Sequence, residues 1–322
     1  MTSSEETPQE EGKKKAGRWI SLVIAVIFLF FCTRYIVSTF QWDVIFSTLR
    51  GASLWMLFGG SVVVLFAYYI VRALRWHLLL RSMGTVIPFA VLYQVSSALI
   101  GLSLVTPMQF AEMLKVELLK RAKQIGRDSG YISFVLERVA DLLVVFLLMM
   151  LTAVMGYQPW LSMEVWRWLL WLSIPGAVLG VFVLWSLRER WIFATIWRRV
   201  AQAIGSWRDL VTLVLMTILG WLIVACGWWC CLYAVGISIH FAKVLAVMSS
   251  MSLLMVLSMV PGGVGVAEAG IAALLIQFGV SATDAQTGAI AVRLFGIMTI
   301  VLGSVHYIVW SVVGRKALEK VS

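Results

Sequence analysis

Runs of roughly 20 apolar residues, the length a helix needs to cross the hydrocarbon of a bilayer, recur along this chain at about 19–40, 53–75, 131–157, 168–187, 209–235 and 284–312. Such runs leave few folds open, because backbone surrounded by lipid must satisfy its own hydrogen bonds. With 61% hydrophobic and 13% charged residues, little polar chain remains for a soluble catalytic domain. The fold class expected is therefore an all-α polytopic membrane protein. The first 18 residues, rich in Glu, Ser and Lys, read as a disordered tail. The apolar segment from Trp19 lacks a small-residue cleavage site and reads as a retained span rather than a signal peptide.

The net charge of +10 raises the question of nucleic acid, but the basic residues sit beside the spans, where the positive-inside rule accounts for them. Arg72, Arg75 and Arg81 place the end of the second span in the cytoplasm. The segment 86–121 is long enough to cross, yet Lys115, Lys120, Arg121, Lys123 and Arg127 follow closely, and crossing would carry them outside. A hairpin that enters from the cytoplasm and turns at Thr106-Pro107 avoids this. Residues 190–208 alternate Ile, Val and Trp with Arg, as a basic amphipathic helix on the inner leaflet would. Residues 241–279 then form a second hairpin, from outside, broken at PGG. Of the 26 Lys and Arg, only Arg34, Arg50, Arg167 and Lys243 fall outside, and Arg293 lies within a span. Both termini are accordingly expected in the cytoplasm, in an inner membrane.

The two halves then read alike but inverted: 19–160 and 161–314, each with three spans and one re-entrant hairpin, followed by a tail at 315–322. Local spacing agrees. Pro107 precedes Glu112 by five residues and Pro261 precedes Glu268 by seven; Glu112 precedes Arg138 by 26 and Glu268 precedes Arg293 by 25. Inverted repeats with interrupted helices at matching positions mark transport sites near the midplane. Thr106 as N-cap with Gln109 at N3 reads as a capping box. Gly262, Gly263 and Gly265 permit an unusual turn and expose amides. Each half-helix would point a partly positive N-terminus inward, suited to phosphate or carboxylate.

The spacing further pairs Glu112 with Arg138 and Glu268 with Arg293, because an unpaired charge at depth costs roughly 2.5–3.5 kcal/mol on insertion scales. Two readings stand side by side: the pairs lock helices together, or the arginines handle a phosphate head group. Glu137 and Asp141, one turn apart beside Arg138, read either as proton or cation sites or as salt-bridged structure. Cys226, Cys230 and Cys231 share roughly one helix face and read as packing rather than a metal site. His77, His240 and His306 are scattered without H-E-x-x-H spacing, so an enzyme is not expected, nor a cofactor.

The segments RALRWHLLL, PMQFAE, ERVAD, PGGVGVAE and the late Arg293 resemble the transmembrane domain of lysylphosphatidylglycerol synthases, over essentially residues 20–312. That domain also occurs alone, as flippase-like proteins. The resemblance implies a bacterial or archaeal protein that moves, or helps assemble, anionic or glycosylated lipids, without the cytosolic synthase domain. The chain departs from the family pattern at Gln109 and Ala111, where arginine and glycine are usual, with Lys115 supplying a base; at Ala267 an arginine is common. The function expected is translocation of a phospho- or polyprenyl-phosphate lipid between leaflets, its head group held by Thr106, Pro107, Gln109, Glu112, Lys115, Glu137, Arg138, Asp141, Pro261, Gly262, Gly263, Gly265, Glu268 and Arg293. The alternative is a non-catalytic scaffold for a glycosyltransferase or other lipid-synthesis enzyme.

Overall fold

The computed structural model describes residues 42–104, 106, 111–121, 125–157, 201, 205–258 and 263–310. The expected first span, the span at 168–187, most of the amphipathic segment at 190–208 and both tails lie outside the described residues. Every described element is helical. In chain order they are α1 (Trp42–Gly51), α2 (Ser61–Ser82, entered through a π turn at Trp55–Gly60), α3 (Phe89–Leu104), α4 (Leu114–Arg121), α5 (Arg127–Val154), α6 (Trp207–Ala234), α7 (Phe241–Ser258), α8 (Val266–Gln277) and α9 (Ala282–Val309).

Among the described residues, three stretches are long and apolar enough to cross a membrane: Trp55–Ser82, Trp207–Ala234 and Ala282–Val309. Helix α5 matches α6 and α9 in length, at 28 residues, but carries Glu137, Arg138 and Asp141 near its middle. Helices α3 and α8, with 16 and 12 residues, reach only about 24 and 18 Å at 1.5 Å per residue. The lipid-facing sides are apolar, with Val63, Leu143, Leu215 and Val301 exposed.

The helix ends follow local chemistry. At the end of α6, Gly236 takes a φ of 85°. Its amide bonds to the Tyr233 carbonyl and the Ile237 amide to that of Leu232, the paired closure that favours glycine just past a helix. At the start of α6, the Ser206 hydroxyl accepts from the Asp209 amide while the Asp209 carboxylate accepts from the Ser206 amide, a capping box. Trp207 and Arg208, expected in the amphipathic segment, therefore belong to α6.

Two seams hold the bundle. Helix α3 runs antiparallel against α9, Tyr93 meeting His306 and Gly101 meeting Gly303; a Cβ on Gly303 would stand 2.9 Å from the Gly101 Cα. Bare backbones approach this closely only where both residues are small. Helix α2 runs antiparallel against α6, Ser61 meeting Cys231 at 3.5 Å and Arg75 meeting Thr217 at 3.1 Å. Around them, α7 packs on α5 and α8 on α9. The main core joins Leu65, Tyr69, Ile100, Leu232, Val247, Ile271, Leu275, Val292 and Phe295.

The structure corrects two sequence expectations in this region. Helix α2 continues to Ser82, and of its three arginines Arg72 and Arg75 are buried within the protein while Arg81 is exposed. The three cysteines do not share a face: Cys231 is buried beside Ser61, whereas Cys226 is exposed.

Candidate functional site

Seven charged side chains from α2, α4, α5 and the 3-10 turn at 111–113 form one alternating string in the interior. Their spacing explains how. Arg72 and Arg75 lie three apart on α2, Glu137 and Asp141 four apart on α5, and Glu112 and Lys115 three apart across the turn into α4, so each set faces one side. Lys115 bonds to Glu137 Oε2. Glu137 Oε1 lies 3.5 Å from Arg75 Nε. Arg75 holds Asp141 in a two-pronged contact, at 2.6 and 3.2 Å. Asp141 Oδ2 is 2.9 Å from Arg138, which reaches Glu112 Oε2 at 3.0 Å. Glu112 Oε2 finally accepts from Arg72 at 2.5 Å.

The string therefore holds four cations and three carboxylates, with a cation at each end. Five members are almost fully buried, with relative exposure of 6% for Arg72, 4% for Arg75, 2% for Glu112, 1% for Lys115 and 0% for Glu137, whereas Arg138 and Asp141 are partly exposed. Aromatic rings cover the Lys115 end, its Nζ lying 4.5 Å from the centre of the Trp76 ring, a favourable placement for a cation. At the other end the Arg72 guanidinium donates to the Tyr68 hydroxyl at 2.9 Å.

The expected Glu112–Arg138 pair is present, but Arg72 shares the same carboxylate oxygen. Glu137 and Asp141 are salt-bridged. The Thr106 hydroxyl accepts from the Ala111 amide at 3.2 Å, five residues on. Pro107 and Gln109 lie outside the described residues.

The second expected pair is also present, with Arg293 Nε 3.2 Å from Glu268 Oε1. The other oxygen of Glu268 accepts from the Gly265 amide at 2.7 Å. That amide is presented because Gly265 sits at φ 84°, a backbone region glycine enters without penalty. One carboxylate thus starts α8 and ties it to α9. Gly263 is described, whereas Pro261 and Gly262 are not. Arg75, Arg72, Tyr68 and Thr217 were missed as site residues by sequence reasoning. The available signal was the three-residue spacing of Arg72 and Arg75 inside an otherwise apolar helix.

These features define a polytopic helical membrane protein with a buried, cation-rich interior. The family model described as the lysylphosphatidylglycerol synthase TM region matches residues 18–303, and the chain belongs to that family. No curated protein and no solved structure matches it.

Proposed function

We propose that this protein is a flippase-like transporter that moves an anionic or glycosylated lipid between leaflets, acting as a carrier rather than a catalyst. The observation that carries this reading is the string of arginine and lysine side chains that meets carboxylates inside the helical bundle. Guanidinium groups hold phosphate in the same forked geometry as carboxylate, so the string suits an arriving anion better than a neutral or cationic group. A phosphate head group supplies that anion, while the acyl or polyprenyl tails stay in lipid. Family membership supports a lipid-related role.

The pairing of the helices agrees with an inverted repeat and so supports the same reading. Helix α2 pairs with α6; α3 packs on α9 as α7 packs on α5; α8 packs on α9 as α4 packs on α5. Each of these contacts has a counterpart after exchange of halves, as two repeats related by a two-fold axis would require. On this reading α3 with α4 enters from the cytoplasm, α7 with α8 enters from outside, and both termini are cytoplasmic in the inner membrane. Glu112–Arg138 and Glu268–Arg293 then mark the two hairpin ends of one pathway, with Lys115, Glu137 and Asp141 on its cytoplasmic side.

Head-group accessibility in proteoliposomes tests this. Wild type is expected to expose labelled anionic lipid to the opposite face, and Arg138→Ala to slow that by roughly tenfold, the equivalent of one lost charged hydrogen bond. Equal rates with and without protein, beside a stable complex with a glycosyltransferase, would favour the scaffold role instead.

A further inference from the structure

His306, in the last turn of α9, stands apart from the alternating string and is buried. Both of its ring nitrogens are engaged. Nδ1 lies 2.7 Å from the Leu302 carbonyl oxygen. A carbonyl only accepts, so Nδ1 carries a hydrogen. In the neutral ring Nε2 is then an acceptor, and the Tyr93 hydroxyl of α3, 3.1 Å away, donates to it. A tyrosine hydroxyl can also accept. The same two atoms can therefore hold a ring with hydrogen on both nitrogens, once the hydroxyl turns and its own hydrogen finds a new acceptor. Ser97 supplies one. It stands one turn on from Tyr93 on the same face of α3 and within reach of the phenol oxygen. Its side chain is fully buried, and its oxygen has no hydrogen-bond partner in the present arrangement.

Rings surround the imidazole. Phe66 and Tyr69 of α2 lie 5.8 and 5.5 Å from it, and Tyr93 lies 5.4 Å away, centre to centre, within the range over which aromatic faces attract a cation. The titratable groups that face it are Tyr69 from α2 and Tyr93 from α3. The Tyr69 hydroxyl is committed to the Thr299 carbonyl at 3.0 Å. Arg72, one turn further along α2, is held by Tyr68 and Glu112. The π turn at Trp55–Gly60 brings no titratable residue. The other helices on α9 meet it nearer its start: α1 at Ile290, α8 at Arg293 and α6 at Phe295.

We infer that His306 is a proton-binding site whose occupancy reverses the hydrogen bond joining α3 to α9. Tyr93 donates to the neutral ring; the ring donates to Tyr93 once Nε2 has taken up a proton from water. Histidine is the side chain through which proteins most readily sense protons near neutral pH. No heavy atom needs to move, so both forms fit one backbone. They differ in one charge and in the strength of the bond across the seam, because an ionised donor bonds about twice as strongly as a neutral one. The inference does not depend on what the protein moves.

Nitrogen-15 NMR of the full chain with labelled histidine, in detergent micelles, tests this, since its shifts separate a ring nitrogen that carries hydrogen from one that does not. The chain has three histidines. His306 is assigned by the signal missing in His306→Gln, or by elimination through His77→Gln and His240→Gln if that variant does not fold. In wild type at high pH the hydrogen should sit on Nδ1 alone. As the pH falls, Nε2 should gain one while the protein remains folded. Tyr93→Phe keeps the aromatic ring and removes only the oxygen. It should lower the ratio of charged to neutral His306 roughly fivefold or more at a given pH, the excess of a charged hydrogen bond over a neutral one. Ser97→Ala should lower it as well. A neutral ring with its hydrogen on Nε2 would overturn the inference. So would a His306 that stays singly protonated down to the pH at which the protein unfolds, or equal ratios in wild type and Tyr93→Phe.

Discussion

Arg75 meets two carboxylates of the string, Glu137 and Asp141, and Thr217 beside it. Replacing it with Leu would leave Glu137 to Lys115 alone and Asp141 to Arg138 alone, and breaking a buried ion pair costs about 3–5 kcal/mol. Arg75→Leu is therefore expected to lower the thermal midpoint sharply, with Arg75→Lys intermediate, because an ammonium lacks the planar fork that grips Asp141 from two sides. Differential scanning fluorimetry in detergent would check the order; equal midpoints for wild type and Arg75→Leu would contradict it. Glu268 does two things, and two substitutions part them. Glu268→Gln keeps an oxygen for the Gly265 amide and loses the charge opposite Arg293, whereas Glu268→Ala loses both. The alanine variant should be the less stable by about 1 kcal/mol, the usual worth of a helix cap.

At the scale of elements, the contact between α3 and α9 depends on the absence of side chains at Gly101 and Gly303. A Cβ on Gly101 would meet the Ile300 backbone at 3.0 Å, and backbone yields less readily than a side-chain tip. Gly303→Leu must push the helices apart, at a cost of about 1–3 kcal/mol or more for overpacking. Gly296→Leu, on the same helix with open space at its Cβ, should be nearly silent. Comparing the two thermal midpoints tests the seam directly.

Helix positions were largely legible in the sequence, because apolar runs and glycine stops are local signals. The 25- and 26-residue spacings also located the Glu112–Arg138 and Glu268–Arg293 pairs. The rest of the string was not legible, for a physical reason. Arg72–Glu112, Arg75–Asp141 and Lys115–Glu137 join residues 40, 66 and 22 positions apart, on elements whose mutual packing no local pattern fixes. Counting basic residues toward one membrane face treats each arginine as solvated, and Arg72 and Arg75 are the positions where carboxylates on other helices supply what water would have.

For the whole molecule, the proposed pathway predicts opposite accessibilities. Lys120→Cys at the end of α4 should react with an impermeant maleimide only from the cytoplasm. Ser238→Cys in the exposed turn after α6 should react only from outside. Labelling of both from one face would remove the opposed entry of the hairpins, leaving the buried string as a purely internal lock.

The Gly101–Gly303 contact has a mechanical corollary. Main chains pressed together have no rotamers to exchange and no layer of side chains along which to slide, so α3 and α9 travel as one stiff plank. Any relative movement of the helices must then be taken up elsewhere in the bundle.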